Sequence, residues 1–140
     1  MNRIIGIDYG RKRVGLAVTD PLQLFATALD TVPADMVVDY LMTYAGKEAV
    51  ERFVVGYPKN LDNTPAEATP YVDAFIKQLQ IRFPSIPVTP VDERFTSRMA
   101  LRAMIDGGVK KMARRKKETV DKVSAVIILQ GYLDSKKQIK

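Results

Sequence analysis

The sequence predicts a mixed α/β fold. A five-stranded sheet combines an antiparallel three-strand meander with parallel strands, and helices cover both faces. Three observations carry this. The first thirty or so residues hold three strand-like runs and no helical period. After residue 33, helical and strand patterns alternate, the mark of parallel strands joined through helices. The run ERFVVGYP, residues 51–58, has the apolar character of a strand buried on both faces.

The first strand spans residues 3–8, where Ile4, Ile5 and Ile7 lead to Asp8. Residues 13–19, RVGLAVT, alternate, with Val14, Leu16 and Val18 on one face and the small residues Gly15, Ala17 and Thr19 on the other. Gly10 between them can take φ > 0 in a tight turn, which implies an antiparallel hairpin. Residues 24–31 make the third strand. Pro33 and Ala34 open a helix to about Ala45, with Met36, Val37, Tyr40, Leu41 and Tyr44 at helical spacing. The fourth strand, 51–58, contains Gly56. Residues 65–83 form a second helix with Val72, Phe75, Ile76 and Leu79 on its apolar side, its regular start delayed by Pro70. PVTPVDE, 87–93, is the fifth strand. Thr96 or Ser97 caps a third helix that ends near Gly107 and Gly108. Thr119 caps a last helix of about 15 residues, in which Val120, Val123, Ile127 and Leu129 bury most of the surface.

At 140 residues the chain suits one domain, 1–140. It has no cysteine and no histidine, which excludes disulfides, thiol catalysis and a Ser-His-Asp triad. Acid–base or metal chemistry must therefore come from Asp, Glu, Lys or Tyr. No apolar run approaches the length of a bilayer span. The N-terminus enters a strand pattern without a leader-like apolar region, so the chain is expected to be untargeted and cytoplasmic. The net charge is +6, and KKMARRKK at 110–117 holds six cations and no acid, enough to account for the whole excess. Such a run is either a phosphate-contacting surface or a solvated loop.

Three acids sit at element boundaries. Asp8 ends the first strand, Glu93 follows the fifth in DERFTS, and Asp121 lies in the first turn of the last helix. Singly, each has an ordinary role: a turn residue, a surface ion-pair partner, an acid offsetting a helix dipole. Their neighbours favour a shared one. Gly6 shares the face of Asp8, and Gly15, Ala17 and Thr19 make a shallow floor beside it that a large ligand could approach. Ser124 and Ala125 lie on the side of Asp121 and allow the last helix to approach the sheet closely. Three converging carboxylates need a cation, and a set of hard oxygen donors matches Mg²⁺ or Mn²⁺, as a pair of ions. Cations flank all three: Arg11, Lys12 and Arg13 after Asp8; Arg94, Arg98 and Arg102 after Glu93; Lys110, Lys111, Arg114, Arg115, Lys116 and Lys117 before Asp121. An acidic metal centre ringed by phosphate-binding side chains suits phosphodiester hydrolysis.

GIDYGRKRVGLAVTD, VVGYPKN, DERFTS and VDKVSAVIILQGYL, in this order over nearly the whole chain, resemble the YqgF family. Its bacterial members are described as Holliday junction resolvases and pre-16S rRNA nucleases. The resemblance implies an RNase H-like fold, with Asp8, Glu93 and Asp121 as the acidic metal-binding set. It also implies a cytoplasmic role in maturing the 5′ end of small-subunit ribosomal RNA, with precursor or structured RNA preferred over DNA and ribosomal particles as partners; resolution of Holliday junctions in DNA recombination is the alternative, and the residues themselves do not choose between RNA and DNA. Where the family has glycine in an N-x-D-G pattern, this chain has Asn63 after Asp62.

Two other classes stay open. GIDYG also resembles the first phosphate motif of actin-like kinases, but Arg11 stands where those proteins have Thr or Ser, and 140 residues cannot supply their second lobe. A non-catalytic RNA- or ribosome-binding module is the other. Monomer and homodimer both remain compatible with the sequence.

Overall fold

The computed structural model describes residues 2–58, 66–92 and the backbone of 117–138, with side chains in that last span over 122–136. The order is β1 (Arg3–Tyr9), β2 (Arg13–Thr19), β3 (Ala26–Pro33), a 3₁₀ turn (Ala34–Met36), α1 (Val37–Lys47), β4 (Val50–Tyr57), α2 (Thr69–Arg82), β5 (Val88–Asp92) and α3 (Lys117–Gln138). The five strands form one sheet in the order β3-β2-β1-β4-β5. β1–β2 and β2–β3 are antiparallel, while β1–β4 and β4–β5 are parallel. The predicted meander with added parallel strands is what forms.

Alternation along the strands sorts side chains onto two faces. Ile5, Ile7, Val14, Leu16, Phe53 and Val55 pack toward α1 and α2, where Val37, Leu41, Val72, Phe75 and Leu79 meet them. Ile4, Ala17 and Val54 pack against Ala125, Ile128, Leu129 and Leu133 of α3. Central β4 is thus buried on both sides, as its composition predicts. β3 carries a bulge: Leu16 opposes Asp30 but Ala17 opposes Ala28, so Leu29 is the extra residue. The β2–β3 loop is held by Asp20, whose carboxylate accepts backbone N–H groups of Leu22 (3.1 Å), Leu24 (2.9 Å) and Phe25 (2.8 Å). Gln23 in this loop has φ 58°, the one positive φ of a non-glycine residue among those described.

Several boundaries differ from expectation. Helix α1 is preceded by a 3₁₀ turn that leaves Met36 exposed, so the buried face is Val37 and Leu41. Pro70 lies in the first turn of α2, where its missing N–H costs nothing. Helix α3 begins before Thr119, which is therefore inside the helix and not its cap. The buried stripe of α3 is also rotated from the predicted one: Ser124, Ala125, Ile128, Leu129 and Leu133 are buried, and Val123 and Ile127 only half-buried. The cause is the sheet beneath, which admits small residues over Gly6. The third helix expected over 96–107 and the loop containing Asn63 lie outside the described residues.

Candidate active site at the carboxyl ends of the central strands

Asp8 is the next-to-last residue of β1, half-buried, and opposes Gly15 of β2. Alternation puts it on the face of Ile4 and Gly6, the face covered by α3. The depth of that cover is visible at Gly6. A Cβ built there would lie 2.6 Å from Leu129 Cβ and 3.1 Å from the Ala125 carbonyl oxygen. The predicted open floor is thus corrected for most of its length. Gly6, Ala17 and Thr19 form a helix-docking surface, with Ala17 and Thr19 fully buried. Small residues there admit α3, not a ligand. The buried Thr19 hydroxyl also accepts the Ile4 N–H at 2.9 Å.

The direction of α3 follows from two anchors. Ala125 and Leu129 sit over Gly6. Further along, Gln130 Oε1 accepts the N–H of Ala26, 3.1 Å away. Ala26 pairs with Thr19, at the Ile4 end of the sheet. Helix α3 therefore crosses diagonally, and its N-terminal turns lead toward the carboxyl ends of β1 and β4. The Asp121 backbone is one turn, about 6 Å, before Ala125. Asp8 is two residues, about 7 Å, beyond Gly6 in the same sense. Glu93 lies one residue past the end of β5, outside the described residues, as does the Asp121 side chain. Among the described residues no three acids form a metal-binding cluster.

The cations divide. Arg13 begins β2 in phase with Gly15 and Ala17, hence on the Asp8 face. Lys12 is exposed at the hairpin tip, and its carbonyl accepts the Ala34 N–H at 2.9 Å. Arg11 turns to the other side, its guanidinium carbon 4.2 Å from the centre of the Tyr71 ring on α2. Lys117, expected in the basic run, is the first residue of α3. Arg94, Arg98, Arg102, Lys110, Lys111, Arg114, Arg115 and Lys116 lie outside the described residues. The glycines are placed as follows. Gly10 is not left-handed as predicted; it is required because a Cβ would stand 2.5 Å from the Arg13 carbonyl oxygen. Gly15 is buried opposite Asp8, and Gly56 is buried in β4 opposite Val91.

Sequence reasoning missed two residues at this end of the sheet. Tyr71 carries no motif, and its contact with Arg11 spans sixty positions of chain. Thr69 is buried, donates its hydroxyl to the Pro58 carbonyl and accepts the Ala66 N–H, each at 2.9 Å. It thereby ties the end of β4 to the start of α2. It falls inside the helix expected over 65–83, beside the Pro70 expected to delay the regular start of that helix.

The donor chemistry fits a hard divalent cation. Asp8 offers carboxylate oxygen at a half-buried strand end, and the chain holds no imidazole or thiolate to compete. A family model described as RuvX, Holliday junction resolvase, matches residues 2–135. The chain belongs to the RuvX family. A relative from Porphyromonas gingivalis named "Putative pre-16S rRNA nuclease" is 54% identical over 135 residues, covering 96% of this chain and 98% of the relative. One of the same name from Parabacteroides distasonis is 56% identical over 137 residues, with 98% of each covered. Among solved structures, Thermus thermophilus RuvC in complex with a Holliday junction substrate superposes with a TM-score of 0.59 at 18% identity, covering 98% of this chain and 96% of that one. Fowlpox virus resolvase with Holliday junction DNA gives 0.59 at 9% identity, with 99% of each covered. These likenesses show the fold, so this RuvX-family chain is RNase H-like, as its motifs imply.

Proposed function

We propose that this RuvX-family chain is a divalent-metal-dependent nuclease of the cytoplasm that hydrolyses phosphodiester bonds at the 5′ end of precursor 16S rRNA. The observation that carries this reading is Asp8: a carboxylate at the end of a central strand, on the face crossed by α3, whose N-terminal turns lead toward it. Asp8, Glu93 and Asp121 would hold Mg²⁺ or Mn²⁺. A bound pair of ions supplies an activated water and stabilises the leaving oxygen. The rest falls to the chain. β1 lies between β2 and β4: Asp8 pairs with Gly15 of β2, and the ladder to β4 runs up to Ile7, the residue before it. Arg13, on the same face, brings positive charge toward the substrate backbone. Such chemistry requires no protein nucleophile, which suits a chain without histidine or cysteine. The names of the relatives support precursor rRNA as substrate. The family description favours a second reading, cleavage of four-way DNA junctions.

The test is a Mn²⁺-supported cleavage assay that compares a 5′ precursor fragment of 16S rRNA with a four-way DNA junction. The precursor is expected to be cut in preference, and Asp8→Asn to lower the rate by on the order of a hundredfold or more, as loss of a metal ligand should. Faster cutting of the junction would favour the second reading. Undiminished cleavage by Asp8→Asn would remove both. RNA affinity that rises as the acids are neutralised, with no cleavage by any form, would favour the non-catalytic binding module.

A further inference from the structure

The Arg11–Tyr71 pair lies on the α2 side of the hairpin tip, apart from the Asp8 face. Two cavities meet at Arg11. One, of about 630 Å³, is bounded among the described residues by Gly10, Arg11, Lys12, Arg13 and Ala68, which bring three cations. The other, of about 410 Å³, is polar and places Arg11 with Tyr9, Asp35, Asp39, Gln78 and Arg82. Arg11 is exposed, and Tyr71 is 42% exposed, so the pair presents an accessible cation–π surface.

We infer that Arg11 and Tyr71, with these two cavities, form a subsite for an unpaired nucleotide next to the cleavage site. The polarity of the cavities orients the ligand. Phosphates belong in the cavity that holds Arg11, Lys12 and Arg13. The mixed cavity sets Asp35 and Asp39 against Arg11 and Arg82 and so holds phosphate less well, while its carboxylates, amide and guanidinium groups match the donors and acceptors of a base edge. The planar guanidinium and the tyrosine ring provide stacking surfaces, and stacking of this kind tolerates any base. A paired base cannot reach such a surface, so the strand in this subsite is single-stranded. Arg13 faces the Asp8 side while Arg11 faces α2. The hairpin tip is therefore a ridge over which a strand passes from the cleavage site to the subsite. This inference rests on the nuclease reading for its substrate but not for its test.

The experiment uses the full chain carrying Asp8→Asn and two RNA probes. One is a hairpin with a single-stranded extension containing 2-aminopurine; the other is the same hairpin with a blunt end. The chain has no tryptophan, so the probe is read without indole emission. Binding is expected to quench 2-aminopurine. Tyr71→Ala should remove the quenching and weaken affinity for the extended probe about tenfold, leaving the blunt probe unaffected. Tyr71→Phe should behave as the parent. Arg11→Ala, at an exposed position, repeats the test if Tyr71→Ala melts at lower temperature. Intact quenching in the alanine variants, or equal weakening of both probes, overturns the inference. The readout does not depend on cleavage, so failure of the nuclease reading would show separately in the rate assay. An extended DNA probe that binds as tightly as RNA would keep the subsite and overturn RNA as its preferred strand.

Discussion

Gly6 shows how much one methyl group decides. A side chain there would meet Leu129 Cβ at 2.6 Å, and Cβ is backbone-anchored and cannot swing away. Gly6→Ala must move α3 off the sheet. It should cost about 1–3 kcal/mol, measured by urea unfolding. Asp20 offers a second test, in pH. Hydrogen bonds led by the Phe25 N–H, with Leu24 and Leu22, hold its carboxyl below the ordinary 3.8, against a smaller opposing effect of desolvation. A folded pKa below the unfolded one means that the stabilisation is complete above 3.8 and lost as pH falls through the folded value. Amide exchange at Leu24 and Phe25 should stay slow into mild acid and then accelerate, and Asp20→Ala should abolish the protection at neutral pH. At this scale the sequence told part of the story. It marked Gly6 and Gly10 as special, but for the wrong reasons. Open space, left-handed φ and close backbone approach all select glycine, and only coordinates distinguish them.

Among the elements, α3 departs furthest from expectation. Thr119 has the chemistry of a cap, yet Lys117 and Glu118 ahead of it are good helix formers and continue the helix. The buried stripe was misjudged because apolar residues occur on most of the circumference of VDKVSAVIILQGYL. Hydrophobicity alone could not choose a face; the crowding at Gly6 and Ala17 did. Leu129 is fully buried at that contact. Leu129→Ala should cost about 2–5 kcal/mol and be visible as a lower urea midpoint with little change in slope. Helix α2 was easier to read, since Val72, Phe75 and Leu79 form one clear stripe and are the buried residues. Its outward side was not legible. Tyr57 donates its hydroxyl to Asp73 at 2.8 Å, and that bond raises the tyrosine pKa, but nothing in VVGYPKN points to Asp73 as its partner.

For the whole molecule, topology was legible because it depends on the order of strand and helix periods, which survives errors of a few residues at each boundary. The placement of Asp8 at the end of β1 was legible for a related reason: it is set by the strand alone. The separation of Arg11 from Arg13 was not, since three consecutive cations look alike until a turn sends them to different sides. The local excess of positive charge leads to a salt test. Affinity for single-stranded RNA should fall with ionic strength, with a log–log slope of about −0.7 for each phosphate held. Lys12→Ala and Arg13→Ala should each shallow that slope by about one contact, measured by titration across salt concentrations.

The two outer strands share a property with a bearing on colloidal behaviour. Among the described residues the sheet ends at β3 and β5. β3 is kinked by its extra residue Leu29 and ends in Pro33; β5 has Pro90 at its centre. A bulge twists a strand out of plane, and proline deletes a donor from the row that an incoming chain would have to bond. Neither border offers a straight, fully donating template, so the sheet resists growth by strand addition from a neighbouring molecule. The extra residue of β3 and the two prolines thus oppose the seeding of fibrils in a concentrated solution of this protein.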